Sequence, residues 1–199
     1  MTVKRAKTLD EQMQAQMLAA IATDNPHEAR DRVMVLLSFK AGLRAQEIAG
    51  LEWKDVCDAK GKIRKDAFFV PGDIAKGHKD AHVPMNPHLY TALCLLRAER
   101  PTDKVVVYGI GKSRDAKKGA RMTPDGVRQW FKRTYTGADF IGCTSHSGRR
   151  TFITSLARKC NDAQCSIRDV QILARHSSLQ TTEAYIEISP HAARLVAII

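Results

Sequence analysis

The 199 residues predict a mixed α/β fold, mostly α-helical, with a small antiparallel hairpin of short strands in the middle. Three observations carry that expectation. Apolar residues recur at helical spacing from the start, at Leu9, Met13, Met17 and Ile21. Two aromatic or β-branched runs, Phe68-Phe69-Val70 and Ala81 to Met85, lie either side of polar turn residues. Thr123-Pro124 supplies an N-cap and an N1 proline for a later helix.

In chain order, Thr8-Leu9-Asp10-Glu11 has the form of a capping box and predicts a first amphipathic helix, ended by Asp24-Asn25-Pro26. The block Val33 to Leu37 lies in a run from Arg30 to Lys40 of about three turns, which favours a core helix over a strand. Ala41-Gly42-Leu43 turns the chain, and Arg44 to Leu51 forms a short helix. Strands are expected at Phe68–Val70, Asp73–Ala75 and Ala81–Met85, with Lys76 to Asp80 as the tight turn joining the last two. Leu89 to Arg97 returns to helix, and Val105 to Tyr108 reads as a short strand or buried extended run. Gly109 to Met122 is a Gly- and Lys-rich loop, followed by a helix from Thr123-Pro124 through Arg133. From Thr144 onward the chain is helical, interrupted at Asn161-Asp162 and Ser177-Ser178.

Composition narrows the partner. With 32 Lys and Arg against 21 Asp and Glu, the net charge is +11, which points to a polyanion, nucleic acid before membrane surface. Residues 97 to 133 alone hold eleven basic against four acidic side chains, and such a loop can lie along a DNA backbone and release counterions. Lys112, Arg114, Lys117, Lys118 and Arg121 are its candidate DNA contacts. Five cysteines form no C-x-x-C pair and fit a reducing compartment. Cys143 and His146 have C-x-x-H spacing without a second ligand pair, so no metal is expected. No segment reads as a signal peptide or spanning helix, and a cytoplasmic, nucleoid-associated protein with no membrane partner is expected.

Six scattered polar residues suit a phosphodiester. Arg44 and Glu47 stand at i and i+3, so the carboxylate can fix the guanidinium and leave its outer donors for a phosphate. His146 and Arg149 have the same spacing near a helix start, where backbone N–H groups also favour an anion. Arg150 points elsewhere and is assigned to structure or a backbone contact. His176 precedes Tyr185 by nine residues. A phenol with a pKa of about 10 needs cations and a histidine nearby to become a nucleophile. Lys76, before the glycine of the turn, can reach out and protonate a departing 5′ oxygen, with Lys79 as its rival.

These residues resemble the tyrosine recombinases of the phage integrase family. Gly42 to Ile48 is similar to the first arginine box, Lys76 to Lys79 with Val83-Pro84 to the hairpin lysine segment, and His146-Ser147-Gly148-Arg149 to the H-x-x-R box. His176-Ser177-Ser178 with Thr181-Thr182 and Tyr185 matches the last box. The resemblance runs from about Thr8 to about Pro190 and implies a recombinase-like catalytic domain over residues 8–190, with the small sheet against one side of the helices. Residues 1–7 would be an N-terminal tail. Because so little precedes the first helix, the chain resembles the short members made of a catalytic domain alone.

The implied reaction cleaves and rejoins double-stranded DNA through a 3′-phosphotyrosine on Tyr185. Arg44 and Arg149 would hold the phosphate, His146 and His176 would handle proton and charge, and Lys76 would be the general acid. Glu47 would support Arg44, and neither metal nor ATP is needed. A homo-tetramer on DNA is implied, with a monomer in free solution and accessory DNA-binding proteins left open. The apolar residues 191–199 would dock on a neighbouring protomer. One departure from the family pattern is Ala174-Arg175, where a small apolar residue and glycine are usual. Arg175 could contact phosphate or face solvent. A type IB topoisomerase and a non-cutting DNA-binding regulator are the rival functions.

Overall fold

The helix that the apolar block builds, α2 (Glu28–Lys40), is the centre of the structure, a computed structural model that describes residues 6–22, 25–99, 105–106, 121–160 and 164–185. Nine consecutive-turn positions of α2, from Arg30 to Phe39 with Arg32 excepted, are buried, so this helix is covered on all sides. Its one buried ion pair is fully partnered. Arg30 Nε donates to Asp31 Oδ1 at 2.7 Å, and Asn25 Nδ2 donates to the other Asp31 oxygen at 2.9 Å. Burying these charges is tolerable because each finds a partner.

Against α2 lie α1 (Glu11–Ala22) and α5 (Pro87–Glu99), the latter through Leu89, Ala92, Leu93 and Leu96 on one stripe. The cap of α1 is Asp10, whose Oδ1 accepts the Met13 N–H at 2.7 Å. Thr8 does not cap, because the next residue is held elsewhere: Leu9 N–H donates to Thr151 Oγ1 at 2.8 Å, and the helix starts after it. Aspartate is as good an N-cap as threonine.

Helix α3 (Ala45–Gly50) packs on α6 (Pro124–Gly137). The latter begins as its sequence predicts, with Thr123 Oγ1 accepting the Gly126 N–H at 3.0 Å and Pro124 in the first turn. Its buried stripe is Val127, Trp130, Phe131 and Tyr135, and burial pushes the Tyr135 phenol far up from its ordinary value. A four-residue helix, α4 (Trp53–Val56), was not expected. Asp55 Oδ2 accepts the Glu52 N–H at 2.8 Å to start it.

Strands β1 (Ala67–Val70) and β2 (Ala81–Pro84) form a two-stranded antiparallel sheet in which Phe68 faces Val83 on the buried side. The expected strand at Asp73–Ala75 is a pair of turns instead. Ile74 N–H donates to Pro71 O at 3.3 Å and Ala75 N–H to Gly72 O at 3.1 Å. Ile74 and Ala75 are buried by these turns, which explains why they read as a strand. The hairpin therefore pairs β2 with β1 through a ten-residue connection, Pro71 to Asp80. Val105 and Val106 are buried in a bend rather than a strand: Val105 N–H donates to Leu51 O at 3.2 Å, and Val106 O accepts the Met122 N–H at 3.3 Å. Val107 and Tyr108 lie outside the described residues.

The chain divides into two compact units, Met1–Phe152 and Ile153–Ile199, the division falling inside α7 (Ser147–Lys159). The second unit also holds α8 (Ile167–Ala174) and α9 (Leu179–Glu183), which pack together. Ser166 and Asp169 cap α8 reciprocally, and the Ser166 hydrogen bonds hold the Asp169 carboxyl below its usual range. No helix among the described residues is long and apolar enough to cross a membrane. The result is mostly helical with a small antiparallel sheet.

Candidate active site

In the first unit, Arg44 is the residue before α3 rather than its first turn. Glu47 serves it twice. Its Oε2 accepts the Arg44 backbone N–H at 2.8 Å, and its Oε1 pairs with Nη1 at 2.9 Å. The glutamate is 1% exposed and the arginine side chain 21%, so the pair is a buried carboxylate steering a partly open guanidinium. That is more than a surface ion pair.

Arg149 is anchored differently. It is 5% exposed, and Nη1 donates to the carbonyl of Gly42 at 2.5 Å. Gly42 holds φ +62°, and a Cβ there would meet the Phe152 ring at 2.4 Å, so glycine is required twice over. The two guanidinium anchors, Gly42 and Glu47, flank Arg44 within one short stretch of chain.

His146 caps α7: its carbonyl accepts the Arg150 N–H at 2.9 Å, and Ser147 Oγ accepts the Thr144 N–H at 2.9 Å to set the turn. Gly148 lets α7 approach α2, since a Cβ would lie 2.5 Å from the Phe39 ring. Partial desolvation, and then the cations Arg44, Arg149, Arg128 and Lys76, hold the His146 imidazole below its ordinary 6.5. These four cations therefore lie near enough to act on one histidine. Lys76 is exposed in the hairpin connection, beside Gly77 at φ +89° and His78 at φ +52°.

The sign of the His146 shift predicts a pH effect. Below 6.5 the unfolded chain takes up a proton that the folded chain resists, so the contribution is complete above that pH and is lost as pH falls through the folded value. Urea midpoints from pH 7.5 down to 5 should fall more steeply for the wild type than for His146→Gln.

In the second unit, His176 follows α8. Its backbone N–H donates to Gln171 O at 3.1 Å, and Gln171 Nε2 donates to His176 O at 3.0 Å. The His176 and Tyr185 rings lie 5.7 Å apart between centroids. Thus Arg44, Glu47, Lys76, His146 and Arg149 gather in the first unit, and His176 and Tyr185 in the second.

The sequence pattern of the phage integrases matches residues 7–191, spanning every one of these side chains. The chain belongs to the phage integrase family. It is similar to the tyrosine recombinase XerD of Proteus mirabilis, 29% identical over 192 residues that cover 92% of this chain and 55% of that protein. The chain spans about half the length of the curated relatives it matches. Its fold is similar to the Tn1549 transposon integrase in complex with transposon right end DNA, at TM-score 0.75 and 19% identity over 99% of this chain and 66% of that one. It is also similar to the catalytic domain of bacteriophage HP1 integrase, at TM-score 0.63 and 16% identity over 98% of this chain and 95% of that one.

Within this integrase-family chain, the remaining cations separate by what they touch. Arg150 Nη1 donates to Ala6 O at 3.0 Å, tying down the N-terminal segment. Arg121 Nε donates to Ala49 O at 2.7 Å, although the residue is otherwise exposed. Lys79 is exposed on the hairpin connection. Lys112, Arg114, Lys117 and Lys118 lie outside the described residues, as does the segment 191–199. Arg128, one cation of the basic run 97–133 with no local pattern to mark it, acts on His146 from α6 and pairs with Asp125 at 3.2 Å.

Arg175 closes α8 in the left-handed region, with φ +54° and ψ +46°. This is the position where the family pattern has glycine, and the conformation supplies the reason: a side chain there is strained. The arginine is half-buried rather than solvent-facing. Arg175→Gly is expected to stabilise the chain by up to about 1 kcal/mol, read as a raised thermal midpoint.

Proposed function

We propose that this chain is a site-specific DNA recombinase that cleaves and rejoins DNA through a phosphotyrosine, without metal or ATP. The observation that carries the reading is the pair of anchored guanidiniums, Arg44 on Glu47 and Arg149 on the Gly42 carbonyl, with His146 and Lys76 close by. Two fixed cationic forks suit the non-bridging oxygens of a phosphate that gains charge in its transition state.

In this reading the Tyr185 hydroxyl attacks the scissile phosphorus and the bond to the 5′ oxygen breaks. A 3′-phosphotyrosine and a free 5′-hydroxyl result. Lys76 gives its proton to the leaving oxygen, with Lys79 as the alternative donor on the same connection. Between them, His146 and His176 handle the phenol proton and the developing charge on the phosphate. A strand end with a 5′-hydroxyl then reverses the chemistry, so one phosphodiester replaces another. The exposed cations, Lys79 among them, and the basic loop would follow the DNA backbone. The chain would work as a homo-tetramer on double-stranded DNA, with accessory DNA-binding proteins, in the cytoplasm at the nucleoid.

The test is covalent capture. A pool of nicked duplexes of randomised sequence is mixed with the chain, and protein–DNA adducts that survive SDS are isolated. The expected result is an adduct on the peptide holding Tyr185, absent from Tyr185→Phe. Capture on another residue, or equal behaviour of the two proteins, would overturn it. Supercoil relaxation with no sequence preference would instead favour a type IB topoisomerase. DNA binding with no adduct would favour a non-cutting regulator.

A further inference from the structure

Thr182 has no exposed surface, yet it carries a hydroxyl, with one proton to donate and lone pairs to accept. Its Oγ1 lies 3.0 Å from Nδ1 of His176, and among the described residues the hydroxyl makes no other hydrogen bond. Its main-chain carbonyl accepts the Tyr185 N–H at 2.9 Å. One buried residue thus holds the histidine by its side chain and the tyrosine by its backbone. This gives the nine-residue separation of His176 and Tyr185 a physical cause.

The direction of the side-chain bond follows from accounting for protons. If Nδ1–H donated to Oγ1, the hydroxyl proton would be buried with no acceptor among the described residues, which is costly. If the hydroxyl donates to Nδ1, both groups are satisfied. The neutral ring must then carry its proton on Nε2.

We propose that Thr182 is a positioning residue: its hydroxyl donates to Nδ1 of His176 and holds the imidazole as the Nε2–H tautomer, a hydrogen-bond donor for a phosphate oxygen. This deepens the strand-transfer reading of His176 and rests on it. Thr181, one residue earlier and exposed, provides the matched control.

The first measurement is spectroscopic and needs no DNA. In protein labelled with 15N-histidine, two-bond 1H–15N correlations should report His176 protonated at Nε2 and bare at Nδ1. Thr182→Val should release the ring into a mixture of tautomers, while Thr182→Ser and Thr181→Val keep the wild-type pattern. The second measurement uses a nicked duplex of a sequence captured by the wild type. Thr182→Val should slow covalent capture at saturating DNA by roughly tenfold or more. The half-saturating DNA concentration should stay within about threefold, and Thr182→Ser should recover most of the rate.

An Nδ1–H tautomer in the wild type would overturn the proposal, as would a Thr182→Val protein with the wild-type tautomer and rate. Should Thr182→Val not fold, the wild-type spectrum and the serine variant still decide. If the wild type captures no DNA at all, the strand-transfer reading fails, while the spectrum separately tests the Thr182–His176 bond.

Discussion

Replacing Glu47 with alanine is expected to cost the fold about 2–4 kcal/mol and to slow covalent capture of DNA by about a hundredfold. The stability loss comes from two groups at once. The Arg44 backbone N–H loses the carboxylate that caps α3, and the Arg44 guanidinium loses a partner that is itself fully buried. Because a fifth of the arginine side chain reaches solvent, water recovers part of the loss, which places the estimate toward the lower end of the range for broken buried pairs. The rate loss has a separate origin: the fork is no longer held where a phosphate would need it. Glu47→Gln keeps an acceptor for the N–H but removes the charge, so it should lie between the two. Urea denaturation reads the first effect and the adduct assay the second. Equal stability for all three proteins would mean that the pair does not steer Arg44.

Gly42→Ala is expected to destabilise the chain by about 3 kcal/mol, combining left-handed strain with overpacking. The backbone there is at φ +62°, and the added methyl would collide with the Phe152 ring. Relief requires moving either the turn or the ring. Either movement disturbs the carbonyl on which Arg149 is fixed, so the arginine should lose its aim as well. The predicted signature is a joint loss of urea midpoint and capture rate, from a substitution that removes no polar atom. A Gly42→Ala protein with wild-type values in both would show that the turn adapts without cost.

What the sequence revealed and what it concealed divide along physical lines. The start of α6 was legible because Thr123 and Pro124 act on the turn they begin. The identities of the candidate site residues were legible because each stands in a short local pattern. The anchor of Arg149 was not, since its acceptor is a backbone carbonyl 107 residues away, and backbone carbonyls look alike in any sequence. Ile74 and Ala75 read as a strand because burial in tight turns selects apolar residues just as a sheet does. Helix α4 went unseen because four residues show no period; the Glu52 and Asp55 pair was its only local signal. Thr182 was visible inside a matched box, but its role depends on the burial and direction of one hydroxyl.

The cations that act on His146 have an energetic side as well. Arg44, Arg149, Arg128 and Lys76 bring positive charge to this spot, and the carboxylates of Glu47 and Asp125 offset only part of it. Any compact dianion that settles there discharges it, and by linkage a ligand that binds only the folded form raises its stability. The chain should therefore melt at a higher temperature in sulfate than in chloride of matched ionic strength, and the difference should shrink in Arg44→Gln. Without a counter-charge in place, the fold itself must carry that crowding of like charges.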